Sequence, residues 1–427
     1  MAHITDHPLR YKLANELHAR PFPSMQAPCS VVYIAIKQPN NAVSRNRADD
    51  LSHLCALLDR HGAPHPQPGA THYYGQIGKH WIKWEQHTEF VTYTAFSESV
   101  PERMFDPTLF EAFPADWLSD APGQRMTSVM LHVLPRNAED AQVNERLDEW
   151  FVAESLAVSS VLDNDAVVAG DFRIDLHGHL RFVIYASAET GARRIGRIIQ
   201  RLCEIETYKA MSMLGFARVR ALQPELNALD TKLTSLMSDM TNENAGAEDT
   251  LNDLLAISAE LETLSAQCSF RLSATAAYEA LVNQRIAALR EVRFSGRQHF
   301  GEFMMRRYAP AMRTVHAAED RIESMSSRSI RASNLLRTRV DVERSAQNQV
   351  LLESMDKRSD LQLRLQRTVE GLSVVAISYY AVSLAAFVLY PVADALGASR
   401  GWLVAAVVAP VVLLVWTMIR RLRRSIE

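Results

Sequence analysis

The sequence predicts an α+β protein in three parts. These are an N-terminal α/β sheet domain at residues 1–189, a long antiparallel helical, coiled-coil stalk at residues 190–370, and a C-terminal two-helix transmembrane hairpin at residues 371–427. Three observations support this division. Strand-like and helix-like patterns alternate up to about residue 189. Glycine and proline then become rare in a region rich in helix formers, and two strongly apolar stretches lie near the end of the chain.

The composition excludes some classes of protein. A chain of 427 residues is long enough for two or three domains. Its net charge of −3 gives no sign of a nucleic-acid partner. The four cysteines, at positions 29, 55, 203 and 268, are scattered without a CxxC motif or metal-ligand spacing. They are predicted to be reduced, buried thiols in a cytosolic domain.

The sheet domain is predicted to hold a mainly antiparallel sheet. The β-branched run CSVVYIAIK at residues 29–37 is typical of a strand. Leucines with helical spacing predict a helix over residues 41–60, and a second helix is predicted over residues 138–154. Further strands are predicted at residues 70–77, 80–86, 88–97, 125–134, 157–163, 167–175 and 180–188.

The stalk is predicted to consist of three helices, at about residues 191–240, 249–291 and 302–370. Gly215 and Pro224 mark two places where the first helix could break. The third helix is expected to continue into the first membrane span. A helix of that length is not stable alone in water, so it needs partner helices from the same chain or from other copies. Self-association through the stalk is therefore expected.

The apolar stretches at residues 371–392 and 401–419 contain no Asp, Glu, Lys or Arg. Each is close to the ~20 residues that cross a bilayer, so the lipid bilayer is a predicted partner. Positive charge is retained on the cytoplasmic side of a membrane. Both termini are therefore predicted to be cytoplasmic, in the inner (cytoplasmic) membrane of a bacterium. The flanking positive charges are Lys357, Arg358, Arg364, Arg367, Arg420, Arg421, Arg423 and Arg424, the last four in a basic tail.

A stripe without Lys, Arg or Glu runs along the third helix at alternating spacings of three and four residues, beginning at Thr338. One interpretation is an ordinary helix–helix seam, in which small and polar residues join helices. The other is the lining of a water-filled path in a symmetric oligomer, suited to a hydrated cation, with a divalent cation as the candidate. In the membrane region the stripe consists of Ser373, Ala376, Tyr380, Ser383, Phe387, Tyr390 and Asp394.

Three motifs carry a family resemblance over almost the whole chain. They are HPLRYKLANELHARP at residues 7–21, KWEQHTEF at residues 83–90 and RTVEGLSVVAISYY at residues 367–380. With these motifs the chain resembles a family of uncharacterised, membrane-anchored bacterial proteins with a domain of unknown function. The resemblance implies membrane attachment and no particular activity.

The predicted architecture is also similar to that of CorA-type magnesium transporters. Those proteins have a cytoplasmic α/β domain, a long stalk helix that enters the first of two C-terminal spans, and a basic tail, and they assemble as pentamers. This resemblance implies a homo-oligomeric cation transporter or channel. The Gly-Met-Asn signature of that family is absent, because residues 390–394 read YPVAD.

Two polar groups in the sheet domain are candidate sites. Asn15, Glu16, His18 and Arg20 lie within seven residues and suit either an acid–base role for His18 or a docking arm. Glu85, His87 and Glu89 are predicted to alternate along one strand and to project from one face, as metal ligands or as a solvated surface. The HGH turn at residues 177–179 is predicted to be a hairpin tip.

No Walker, Rossmann, nucleophile-elbow or HExxH motif occurs in the chain, which disfavours common nucleotide-binding and hydrolytic enzymes. Three functional hypotheses therefore stand: a cation transporter, a membrane-anchored coiled-coil scaffold, and a membrane-tethered enzyme.

Overall fold

A computed structural model of the chain describes residues 4–16, 22–40, 42–240, 246–395 and 399–426. The predicted α+β class is confirmed, with a nine-stranded sheet in the described residues followed by long helices. The chain divides into two compact units. One comprises Met1–Asn242 and Asn252–Ala332, and the other comprises Glu243–Leu251 and Ser333–Glu427.

The sheet belongs to the first unit and has the strand order β2-β3-β4-β1-β5-β8-β7-β6-β9. Neighbouring strands are antiparallel, apart from the parallel pair β5 and β8. The strands are β1 Cys29–Lys37, β2 His72–Ile77, β3 His80–Gln86, β4 Phe90–Ser97, β5 Gln124–Pro135, β6 Ala157–Val161, β7 Ala166–Gly170, β8 Leu180–Ala186 and β9 Val292–Arg293.

The described helices range from one or two turns to very long elements. Their bounds are α1 Arg10–Glu16, α2 Arg47–Arg60, α3 Ala115–Ser119, α4 Asp140–Trp150, α5 Ala192–Asp239, α6 Ala247–Leu289, α7 Phe300–Arg307, α8 Ala309–Ala395 and α9 Arg400–Ile426. The long helices α5 and α6 lie close to the ranges predicted from the sequence.

Strand β1 is buried along its whole length because both faces of the sheet are covered. Val32, Ile34 and Ile36 join a hydrophobic cluster with leucines of α2 on one face. On the other face, the Tyr33 hydroxyl lies 2.6 Å from Oγ1 of Thr207 in α5. This double burial explains why the β1 sequence is a continuous apolar run rather than an alternating one.

Helices α5, α6 and the first part of α8 pack against one another in the first unit. Buried Leu254, Ile257, Leu261 and Leu264 of α6 follow the three-and-four spacing of a coiled-coil seam. Polar contacts fix the register, because Arg321 of α8 donates to Asp230 of α5 at 2.8 Å. The Oγ atoms of Ser258 and Ser329 lie 2.6 Å apart, which joins α6 to α8.

The structure corrects several predicted boundaries. Helix α5 continues through Gly215 and Pro224, the two places where a break could have occurred. The third stalk helix is divided near Tyr308 into the short α7 and the long α8. Strand β4 begins at Phe90 rather than at residue 88, and β7 ends at Gly170 rather than at residue 175. The two strand errors lie at the ends of elements, where local sequence preference is weakest. The two helix errors lie inside the predicted helices.

The second unit contains the C-terminal part of α8 and all of α9. Every residue of α8 from 341 to 369 is exposed, and Arg344 in this segment forms an ion pair with Glu248 at the start of α6. Two helical segments, Ala309–Pro391 and Gly401–Arg421, contain windows of mean hydropathy 2.1 and 2.5 that are long and apolar enough to cross a membrane. Only 11% and 6% of these windows are buried, which distinguishes them from the core helices of a soluble domain.

Gly215 provides a test of the contact between α5 and α6. A Cβ atom at this position would lie 2.1 Å from Oγ1 of Thr275. Replacing a helical glycine with alanine normally stabilises a helix by ~1 kcal/mol. Here the clash with Thr275 should make the same replacement destabilising. We expect Gly215→Ala to lower the free energy of unfolding by about 1–2 kcal/mol.

Gly371 is the matched control, because it also lies inside a long helix and a Cβ atom there meets nothing within 4 Å. Thermal unfolding of both variants in detergent would measure the difference. Equal melting temperatures for the two variants would contradict the close approach of α5 to α6.

Candidate functional site

A small polar cavity lies between the sheet and helix α5. Its floor comes from β1, β3 and β4, and its roof comes from the part of α5 between Ile199 and Tyr208. The cavity has a volume of about 30 Å³, which is room for about two water molecules. Strand β3 presents Lys83 and Glu85 to it because alternate residues of a strand point to the same face.

A chain of polar contacts crosses this cavity. Nζ of Lys83 donates to Oε1 of Gln200 at 2.9 Å and lies 3.2 Å from Oε2 of Glu85. Nε2 of Gln200 donates to Oε1 of Glu204 at 2.7 Å, and Arg285 of α6 forms an ion pair with Glu204. The Lys83 side chain is only 7% exposed, so its polar end requires these partners. The contacts connect β3, α5 and α6 through the protein interior.

The cavity holds groups that stay protonated at neutral pH. Burial raises the pKa of the Cys203 thiol well above its usual range, with a smaller contribution from Glu204. Burial also raises the pKa of Tyr33, whose hydroxyl is close to Thr207. A thiol held in this way is a poor nucleophile. The arrangement therefore suits binding and positioning better than covalent catalysis.

The predicted alternation of Glu85, His87 and Glu89 along one strand is wrong. Strand β3 ends at Gln86 and β4 begins at Phe90, so His87 and Glu89 belong to the turn between them. Glu85 and His87 both line the cavity, and the His87 ring stacks on Phe90 with 4.4 Å between centroids.

The side chain of Glu89 contacts helix α6 instead of the cavity. Its carboxylate forms an ion pair with Arg271 of α6 and accepts a hydrogen bond from the Tyr278 hydroxyl at 3.1 Å. Within the described ranges, no group of three or more His, Cys, Asp or Glu side chains could hold a metal ion. Glu89 therefore joins the sheet to α6, and the described residues do not form the metal site considered from the sequence.

The N-terminal polar group is only partly within the described structure. Asn15 and Glu16 lie in the last turn of α1, and their side chains are outside the described part. His18 and Arg20 lie outside the described residues. Their acid–base or docking role stays a prediction.

The cavity residues Gln200 and Glu204 were missed in the sequence, as was Arg285, which pairs with Glu204. One signal was present: Gln200 and Glu204 are half-buried and four residues apart, on a helix segment whose buried residues are mainly apolar. Polar side chains on the buried face of a helix require partners. The identity of those partners is not a local property of the sequence.

The membrane-region stripe lies largely on uncovered surface of α8. Tyr380 is 67% exposed and Phe387 is 73% exposed. The buried positions of this region are instead Ser378 and Ala386, both off the stripe. Asp394 lies in the last turn of α8, and its side chain is outside the described part. The other stripe residues, Ser373, Ala376, Ser383 and Tyr390, are exposed or partly exposed.

Comparison with known families identifies the chain. A family model described as "Protein of unknown function (DUF3422)" matches residues 5–426. The chain belongs to the DUF3422 family. No curated protein and no solved structure matches this chain. The resemblance to a family with a domain of unknown function is confirmed, whereas the likeness to CorA-type transporters has no support from these comparisons and stays a prediction.

Two buried histidines make this DUF3422 chain sensitive to acid. Nε2 of His132 accepts a hydrogen bond from the backbone N–H of Phe105 at 3.1 Å, and burial lowers the pKa of His132 to about 4. Nδ1 of His179 lies 2.8 Å from Oγ of Ser128, and burial lowers the pKa of His179 to about 4. His179 is thus a buried anchor of the HGH turn, stacked on Phe110 with 3.8 Å between ring centroids.

We expect the DUF3422 chain to lose stability as the pH falls from about 6.5 to about 4. Over this range each histidine is protonated more readily in the unfolded chain, so proton uptake favours unfolding. The loss can reach ~3 kcal/mol for each histidine, and stability should be independent of these groups above pH ~6.5. Denaturant unfolding followed by tryptophan fluorescence at several pH values would measure it.

His179→Gln should remove the part of this pH-dependent loss of stability that His179 causes. His177→Gln is the matched control because His177 is exposed in the same turn. If the free energy of unfolding depends on pH in the same way in the parent and in His179→Gln, His179 does not contribute to the loss of stability in acid.

Proposed function

We propose that this chain is a membrane-anchored protein that self-associates along α8. Copies of the chain would pair from about residue 341 through the first membrane helix. The assembly would hold the α+β domains at the cytoplasmic surface of the inner membrane, as the basic flanks of the two spans predict. In this proposal the protein is a scaffold whose anchor and assembly surface share one helix.

The observation that carries the proposal is the uncovered surface of α8 from residue 341 to residue 369. Large apolar side chains in this segment are more than half exposed, which is costly for a helix in water. A single uncovered helix in water is also only marginally stable. These side chains are Val342, Val350, Leu351, Leu352, Met355, Leu361, Leu363, Leu365 and Val369.

The stripe predicted from the sequence is the face proposed for pairing. It contains Leu352, Met355 and Val369 and no Lys, Arg or Glu, whereas charged residues flank it. Asp341 is the one charged residue of the stripe between residues 341 and 369. A heptad seam of this kind places most charge at the edges of the contact. Another copy of the same chain offers the same seam, so a symmetric assembly follows naturally.

The membrane helices support the same arrangement. Along α8, Val374, Ser378, Val382 and Ala386 repeat every four positions and include Ser378 and Ala386, the two buried residues of the described stretch 371–391. On α9 the less exposed residues Val407, Val411, Val415 and Ile419 have the same spacing. We infer that these two rows face each other within the chain, since small residues let membrane helices approach closely. That arrangement leaves the predicted stripe free for other copies.

Disulfide cross-linking in native membranes tests the pairing. In a Cys55→Ser background, we expect Leu352→Cys and Met355→Cys to form disulfide-linked dimers upon mild oxidation, because both lie on the stripe. The remaining cysteines, Cys29, Cys203 and Cys268, are buried and should not react. Non-reducing electrophoresis would report the yield.

The matched controls are Val350→Cys and Leu361→Cys. Leu352 and Val350 are both 66% exposed, and Met355 and Leu361 are 63% and 61% exposed. At 3.6 residues per turn the control positions lie on roughly the opposite face of α8. Equal yields at all four positions would contradict pairing through the stripe, and no cross-linking at any position would contradict self-association along this segment.

A cation transporter or channel is the second candidate function. The hydroxyl groups of Ser373, Tyr380, Ser383 and Tyr390 lie on the stripe within the span, away from the row that we assign to α9. In a ring of copies these oxygens would surround a central path, and neutral oxygens suit the passage of a hydrated cation. This candidate requires the self-association proposed above and a ring of at least three subunits.

For this second candidate we expect the full-length protein in liposomes to take up a divalent cation such as Mg²⁺. Tyr380→Ala should change the rate severalfold because its side chain would line the path. Tyr379→Ala is the control, since its side chain is similarly exposed, at 70% against 67%, and lies off the stripe. If the correctly inserted protein takes up none of the cations tested, the transporter function is contradicted and the scaffold is the candidate that remains.

A further inference from the structure

A second groove, distinct from the polar cavity, lies at the start of helix α5. Its lining consists of Phe22, Pro23, Ser24, Tyr74, Arg193 and Arg197. The groove has a volume of about 650 Å³, within the range of ~300–1,000 Å³ that is typical of small-molecule sites. No carboxylate lines it among the described residues.

The two arginines of the groove lack partners in the described part of the chain. No hydrogen bond or ion pair of Arg193 or Arg197 is found there, whereas the adjacent Arg194 forms an ion pair with Asp165. Further along the same helix, Arg201 donates to the backbone carbonyl of Ala288 at 2.8 Å. Two guanidinium groups that face one groove without a counter-charge favour an anionic ligand.

The surroundings strengthen this positive field. The first turn of α5 contains no acidic residue and holds Arg193 and Arg194, although that end of a helix normally favours negative charge. Burial, followed by the neighbouring guanidinium groups of Arg197, Arg285 and Arg290, lowers the pKa of Arg201. Arg194 is compensated by its ion pair with Asp165, whereas Arg193 has no such contact in the described part of the chain. A local preference that is broken without compensation is typical of a functional site.

Aromatic side chains form another part of the groove. The Tyr74 ring stacks on Trp81 with 5.3 Å between centroids and an interplanar angle of 14°. Tyr74 is 42% exposed and Phe22 is 47% exposed, so both rings keep accessible surface. Such rings bind a flat, unsaturated group by stacking. The groove thus combines guanidinium groups for an anion with ring surface for a planar group.

We propose that this groove binds an organic phosphate that carries a planar ring, a ligand of the nucleotide class. Arg193 and Arg197 hold the phosphate through charge-assisted hydrogen bonds, and Tyr74 with Phe22 contacts the ring. This site is separate from the membrane helices and from the stripe on α8. It therefore stands whether or not the chain self-associates or transports a cation.

Calorimetric titration of the full-length protein in detergent tests the proposal. The probes are AMP, ATP, adenosine and inorganic phosphate, with vesicles containing an anionic phospholipid as a separate arm. AMP or ATP should bind more tightly than adenosine and inorganic phosphate. Arg193→Gln and Arg197→Gln should each weaken nucleotide binding about 10-fold, and raised salt should weaken it further.

Three variants separate a specific site from a general effect of charge. Arg194→Gln removes the same charge from the same turn of α5 and should bind like the parent, because Arg194 is paired with Asp165. Tyr74→Ala should weaken nucleotide binding, and Tyr74→Phe should retain it. Tryptophan fluorescence verifies that each variant folds. Arg193 is exposed, so its substitution should leave the fold intact.

Four results would overturn the proposal. Inorganic phosphate that binds as tightly as AMP would show a simple anion site. Vesicle binding that depends on Arg193 and Arg197, without nucleotide binding, would assign the surface to lipid headgroups. Nucleotide binding that is unchanged in Arg193→Gln and Arg197→Gln would place the ligand elsewhere. Binding of none of the probes would remove the site.

Discussion

Helix α8 bears more apolar surface than the described part of its own chain covers, and the organisation of the protein depends on this imbalance. Up to Ala332 the helix packs in the first unit through buried residues such as Val315, Ile322 and Met325. Beyond residue 340 that cover ends, first for a segment exposed on all sides and then for a membrane-length apolar stretch. Water tolerates neither surface well, so the apolar stretch suits a bilayer, and the exposed segment is the surface for which we propose partner helices.

In the first unit, buried ionic contacts connect the sheet to the helices. Lys83 and Glu204 lie in a chain that extends from β3 to Arg285, and Glu89 binds Arg271 from the neighbouring turn. Such pairs seldom add much stability, because desolvation offsets their attraction, but an unpaired member is very costly. They therefore specify one relative placement of the sheet, α5 and α6. The small cavity lies where these contacts meet.

Helix α5 takes part in both features of the first unit. Its opening turns carry Arg193 and Arg197 of the groove, which lack partners in the described part of the chain, and the following turns carry Gln200 and Glu204 of the cavity. The helix is unbroken from Ala192 to Asp239, so both features share one rigid backbone. Its later turns bind α8 through Asp230. A ligand in the groove would thus contact the same element that positions the helical bundle.

The sequence alone determined the features that depend on local interactions. The β-branched run of β1, the spacing of leucines in α2 and the two apolar stretches predicted their elements because backbone preference and solvent transfer act residue by residue. The contacts of Glu85, Glu89 and His179 depended on tertiary structure. Glu89 meets Arg271 and Tyr278 from residues about 180 positions away, and His179 meets Ser128 across the sheet. No periodic pattern in the sequence encodes such tertiary contacts. They form only when distant elements pack together and buried polar groups must find partners.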